Sequence, residues 1–157
     1  MAGNRIRVAK DKADLVQALV ASDPTTGCFQ TYADVMVFAA ALGAKRKKRV
    51  PLGEISKREP SAISLEIFVS RGSERAIKLL AIAETKNPKI LSPTEEEYEE
   101  QRAHIFEEYA NGGLEILQEE LRGSVDYSER ILLILSVERG NQEQPKEEFD
   151  LSRFLGS

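Results

Sequence analysis

The order of apolar and polar residues divides the chain into one short strand and a series of helices. Arg5-Ile6-Arg7-Val8-Ala9 alternates basic and apolar side chains, the period of a half-buried strand that places Arg5 and Arg7 on one face. From Asp11 the period changes. Leu15, Val16, Leu19 and Val20 recur at helical spacing and predict a helix to about Ser22, ended by Asp23-Pro24-Thr25-Thr26-Gly27. Thr31 followed by Asp34 is a capping pair, and the almost wholly apolar run Tyr32 to Leu42 predicts a helix buried on most sides. Gly43 stands where a left-handed residue would close that helix. Pro51, Gly53 and Pro60 then punctuate a connecting segment.

The second part of the chain is helical in period throughout. Ile63 to Val69 alternates as a strand would, yet Ile63, Ile67 and Phe68 also suit a helix face, and Pro60-Ser61 ahead of them reads as a helix start, so helix is preferred. Glu74 to Glu84 is a clearer helix, broken at Asn87-Pro88. Pro93 and the acids after it open a long helix in which Asn111-Gly112-Gly113 predicts a kink or an interruption. Asp126 with Glu129 caps a short apolar helix, Ile131 to Val137, expected in the core. After Gly140 the chain turns polar.

The expected fold is therefore mainly α: a short N-terminal strand followed by a helical domain over 1–140, with a flexible tail over 141–157. An apolar share of 41% against 31% charged residues is that of a globular chain rather than a disordered one. No apolar run approaches the ~20 residues that span a bilayer, and MAGNRIRVAK lacks the apolar segment of a signal peptide; a cytoplasmic location is the expectation. Cys28 and His104 are the only residues of their types, which excludes an internal disulfide and the Cys/His zinc spacings.

Charge changes this picture most. Residues 1–60 hold 11 Lys/Arg against 6 Asp/Glu, and residues 61–157 hold 11 against 20. The basic 1–60 part thus precedes an acidic 61–140 part, and Lys45, Arg46, Lys47, Lys48 and Arg49 follow the apolar helix without interruption. Three readings of this run stand side by side: contact with nucleic-acid phosphates, a nuclear-targeting signal, and a solvated helix end whose cations complement the helix dipole. The strand, helix, turn and helix of residues 5–42 also follow the order of a ribbon-helix-helix module, which would need a partner strand and so a homodimer. Together these observations select Arg5, Arg7 and residues 45–49 as candidate DNA contacts.

Catalytic chemistry finds little footing. Glu100, His104 and Glu108 share a helix face, as a metal site would require, but the Glu-x-x-His spacing of diiron sites is absent because residue 101 is Gln. Glu84-Thr85-Lys86 matches the Glu-x-Lys end of some metal-dependent nuclease sites without a partner Asp on a preceding strand. The expectation is a non-enzyme without cofactor or metal. In the tail, Phe149, Leu151, Phe154 and Leu155 suit a short segment that docks on a partner protein or folds back on its own domain.

Three strings, QTYADVMVFAAALGAKRKKRVPLGEISKREP, LLAIAETKNPKIL and EEYANGGLEILQEEL, resemble the family of DNA phosphorothioation (dnd) system-associated protein 4, and the resemblance extends over residues 5 to about 138. It implies a prokaryotic accessory of the pathway that replaces a non-bridging phosphate oxygen of DNA with sulfur, a backbone mark used in restriction and phage defence. No family catalytic residue is carried over. The layout of the N-terminal half is also similar to that pathway's small E subunit, a ribbon-helix-helix-like protein that binds DNA through lysines. Because such a host has no nucleus, the resemblance removes the targeting reading. A DNA-backbone-binding accessory is then the leading expectation, with a protein adaptor of the same system as the alternative.

Overall fold

In the computed structural model of the chain, residues 5–20 and 28–143 are described. The element order is β1 (Arg5–Ile6), a 3-10 turn (Lys10–Lys12), α1 (Ala13–Leu19), α2 (Tyr32–Lys45), β2 (Ile63–Ser64), α3 (Leu65–Ser70), α4 (Glu74–Thr85), a second 3-10 turn (Pro88–Leu91), α5 (Glu96–Leu121) and α6 (Tyr127–Glu143). Contacts group the chain into two units, Met1–Arg122 and Gly123–Ser157. The fold is mainly α with a short N-terminal strand, as the periodicity predicts. The predicted break at 23–27 and the tail residues Phe149, Leu151, Phe154 and Leu155 lie outside the described residues.

The first unit is organised around α5. Its buried residues Phe106, Ala110, Leu114, Leu117 and Leu121 form a stripe three to four residues apart, and Val35, Met36, Ala39, Ala40 and Leu42 of α2 are buried as well. Small residues bring these two helices close. A Cβ on Gly113 would lie 1.7 Å from the carbonyl oxygen of Ala39, and one on Gly43 would lie 2.1 Å from that of Tyr109. Asn111-Gly112-Gly113 therefore does not interrupt α5, which runs unbroken from Glu96 to Leu121. The glycines are needed for backbone approach, and the packed partner holds the helix through them.

Other elements close around the same helix. Phe68 of α3 meets Phe106 edge-on at 5.6 Å between ring centroids. Ala81 of α4, Ile90 of the second 3-10 turn and Ile105 form a further cluster, and Arg102, itself buried, donates to the carbonyls of Ile90 and Ser92 at 2.7 and 2.9 Å.

β1 pairs antiparallel with β2 of its own chain, Arg5 opposite Ser64 and Ile6 opposite Ile63. One edge of the strand is thus paired within the chain. Both halves of the 63–69 ambiguity are realised: Ile63-Ser64 is strand, and the Ser64 hydroxyl then caps α3 by accepting from the Glu66 amide at 3.3 Å.

In the second unit Asp126 accepts from the Glu129 amide at 3.2 Å, the predicted cap. The predicted core position is corrected. Ile131 and Ile134 are buried, but Leu132, Leu133, Leu135 and Val137 are each about half exposed or more. Apolar residues run almost all round this helix, so no single covering face can bury them.

Candidate nucleic-acid interface

The basic run forms the exit of α2, and its geometry begins with how that helix ends. The helix passes through Gly43 to Lys45. Lys47, not Gly43, takes the left-handed conformation, with φ of 55°. The Lys48 amide donates to the Gly43 carbonyl at 2.7 Å and the Lys47 amide to that of Ala44 at 3.1 Å, the paired bonds of a Schellman closure. Gly43 is unavailable for this role because it is spent on the approach to α5.

The turn is then pressed onto α5. A Cβ on Gly112 would stand 1.9 Å from the Lys48 carbonyl oxygen, the Val50 amide donates to the Glu108 carbonyl at 3.1 Å, and the Asn111 side-chain amide donates to the carbonyls of Val50 and Pro51. A run of letters that suggests a flexible basic stretch is thus a fixed turn.

Its cations face the acids of α4 and α5. Arg49 donates from Nε to Glu108 at 2.7 Å and from Nη1 to Glu84 at 2.8 Å, with its guanidinium 5.8 Å from the centre of the Tyr109 ring. Burial opposes the charge of Arg49, but the bonds to Glu108 and Glu84 outweigh it and hold the group above its ordinary range. The Tyr109 hydroxyl donates to Glu84. That bond, with Arg49, holds the Glu84 carboxyl below the ordinary range; the bond to Glu84 and burial hold the Tyr109 phenol above its own, against the opposing charge of Arg49. Arg46 meets Glu120 and Lys48 meets Glu115, each at 3.6 Å. Lys45 and Lys47 are exposed.

The strand arginines divide. Arg5 is exposed. Arg7 grips Glu107 with both its amide, at 2.6 Å, and its guanidinium, at 3.0 Å twice, and the bond to Glu107 raises its pKa against the effect of burial. Glu107 is only 2% exposed, so Arg7 neutralises a buried carboxylate. Adjacent residues project about 100° apart on a helix. Arg7 on Glu107 and Arg49 on Glu108 therefore approach α5 from different directions.

The residues considered for catalysis fall into the same network. His104 lies 3.2 Å from Glu108 and 3.9 Å from Glu107, and Glu100 lines a groove of about 690 Å³ beside the Arg7–Glu107 pair, together with Arg5 and His104. Glu84 is occupied by Arg49 and Tyr109, and Lys86 sits in the left-handed position that ends α4. Among the described residues, no group of three or more His, Cys, Asp or Glu side chains is placed to hold a metal ion.

Sequence reasoning overlooked Glu107 and Tyr109. A signal for the first was present: Glu107-Glu108 interrupts the apolar run Ile105-Phe106 to Tyr109-Ala110, and two acids inside a helix's buried stripe require cations from elsewhere in the chain.

Among the described residues no helix is long and apolar enough to cross a membrane. No curated protein and no solved structure matches the chain. A family model, DNA sulphur modification system-associated protein 4, matches residues 5–154, the span that contains the Arg7–Glu107 and Arg49–Glu108 pairs and the glycine-packed turn, and the chain belongs to that family.

Proposed function

We propose that the chain serves its DNA sulphur modification system without catalysis, by contacting the DNA backbone through the exit turn of α2. The observation that supports this reading is the fixed basic turn itself. Schellman bonds and the approach to Gly112 hold the backbone at Lys47 and Lys48, so the side chains of Lys45, Arg46, Lys47 and Lys48 leave a rigid base. Rigidity reduces the conformational entropy lost on binding a polyanion. Arg7 and Arg49 take a different part: tied to carboxylates at 2.6 to 3.0 Å, they secure strand and turn to α5. Phosphate contact then falls to Arg5 and residues 45–48.

The test is binding to duplex DNA over a salt series. For a contact of this kind log K falls by about 0.9 per phosphate per decade of salt, and Lys45→Ala/Lys47→Ala flattens that slope. Intact affinity in the doubly substituted chain would sink the assignment to this turn.

A second reading, that of an adaptor, draws on α6. Exposures of 64% at Leu132, 51% at Leu133, 46% at Leu135 and 56% at Val137 amount to an apolar surface of the kind that another protein covers. On this reading a complex with another protein of the sulphur modification system survives high salt and is lost on Leu132→Glu/Leu135→Glu. Full retention of that complex by the double variant would exclude α6 as its docking surface.

A further inference from the structure

Ile55 lines two grooves, the one beside the Arg7–Glu107 pair and a larger one of about 1020 Å³ whose described lining includes none of residues 45–49. One wall of the larger groove is α1, through Ala13, Asp14 and Gln17, and the other is the segment 54–59. That segment is held in place. The Lys10 amide donates to the Glu54 carbonyl and the Ser56 amide to the Val8 carbonyl, each at 2.8 Å, with Ala9 opposite Ile55 in an antiparallel bridge. The hydroxyl of the buried Ser56 donates to the Arg58 carbonyl at 2.9 Å, and Pro60 is fully buried beyond it. Lys57 and Arg58 therefore leave a backbone anchored on both sides, and both are exposed.

The charges of the lining decide what the groove fits. Lys10, Lys57 and Arg58 stand with Asp14, Glu54 and Glu59, an even balance that gives a long polyanion no net attraction. Two of the acids are engaged: Lys10 meets Glu54 at 3.3 Å, and Glu59 accepts from the Tyr32 hydroxyl at 3.2 Å. Lys57 and Arg58 make no ion pair among the described residues. Two adjacent cations suit the clustered oxygens of a phosphate monoester. On the α1 wall Asp14 and Gln17 are exposed and one helical turn apart. A carboxylate only accepts, whereas an amide both donates and accepts, the combination that meets N–H and C=O groups on the edge of a nucleobase. Ala13 and Ile55 add apolar surface for a ring. The volume is at the upper end of the ~300–1,000 Å³ of small-ligand sites, room for more than a bare phosphate.

We propose that this groove binds a nucleoside monophosphate, with the phosphate on Lys57 and Arg58 and the base edge on Gln17 and Asp14. The nucleotide is either free in solution or one unit of a DNA strand, since both present the same phosphate and base. The site shares no described residue with the α2 exit turn, so it does not depend on backbone contact there.

The experiment titrates the full chain with each of the common deoxynucleoside monophosphates, with inorganic phosphate and with unphosphorylated deoxyadenosine, following backbone amide resonances by NMR. The nucleotides shift Gln17 and residues 54–58 and bind more tightly than either fragment. Lys57→Ala/Arg58→Ala weakens nucleotide binding by about twofold to thirtyfold with an unchanged melting temperature. Arg75→Ala/Lys89→Ala, which removes the same charge at exposed residues outside the groove, leaves it nearly unchanged. Gln17→Ala narrows the differences among the bases. A single-stranded oligodeoxynucleotide that displaces the mononucleotide marks a DNA strand as the source, and retention of the mononucleotide in its presence marks a free nucleotide. Equal affinities for the two double variants, or nucleotide shifts confined to residues 45–48, would overturn the groove as a nucleotide site. Duplex binding that responds to Lys45→Ala/Lys47→Ala would still stand in that case, so the two assignments fail separately.

Discussion

Replacing Gly113 by Ala puts the packing of the whole first unit to a direct test. In an exposed helix interior this change stabilises by about 1 kcal/mol, since Ala has the highest helix propensity and Gly loses the most backbone freedom on folding. Here the added methyl carbon would stand 1.7 Å from the Ala39 carbonyl oxygen, 2.5 Å from its carbon and 2.9 Å from its Cα. Ordinary contact begins near 3.4 Å, so α2 and α5 must separate by roughly 1.5 Å along that line, and no side-chain rotation can relieve a clash with backbone. Overpacking of this kind costs about 1–3 kcal/mol. With the rigid partner placing it at the upper end, and the propensity gain subtracted, the net destabilisation is about 2 kcal/mol, a fall in Tm of roughly 8 °C for a unit of this size. Urea denaturation followed by circular dichroism measures it. Gly140→Ala, at an exposed site of α6 with nothing within 4 Å of the new carbon, is the counterpart and gains up to about 1 kcal/mol in helix stability. If Gly113→Ala proves as stable as the parent chain, the close approach of α2 to α5 is not what holds this unit together.

Other consequences are as direct. Lys47→Gly relieves a left-handed residue that carries a side chain and stabilises by about 0.5–1 kcal/mol, while Lys47→Val destabilises; equal midpoints for both would contradict the assigned turn. Arg7→Ala leaves Glu107 buried without its cation and costs about 3 kcal/mol, much of it recovered in Arg7→Ala/Glu107→Leu; additive losses in that cycle would show the pair to be uncoupled. The Glu84 carboxyl, held below its ordinary value of 4.5 by the Tyr109 hydroxyl and Arg49, contributes stability that is present above that value and lost as pH falls through the lower folded one. Acid unfolding of Tyr109→Phe is accordingly less steep in this window, and the Glu84 carboxyl resonance titrates closer to its ordinary value; an unchanged titration would remove the bond's role.

The local order of elements was determined by the sequence alone. Thr31 with Asp34 and Asp126 with Glu129 cap helices in the structure because capping is a contact within four residues, and the apolar stripe of α5 marks its buried face for the same short-range reason. The asymmetry between a basic first part and an acidic second part was also legible, as was the family, through strings that survive without any knowledge of contacts. Where the charges go was not. Arg7 meets Glu107 a hundred residues away, and Arg49 meets Glu84 and Glu108 at separations of 35 and 59; only the folding of α4 and α5 against the α2 exit turn brings them together. The glycines show the same division. In isolation Gly43, Gly112 and Gly113 signify a helix end and a break, because a residue without Cβ is read by its backbone freedom. In the packed molecule that missing Cβ is space for another helix's backbone, so the helices continue, the left-handed position passes to Lys47, and the basic run becomes a fixed turn against an acidic helix.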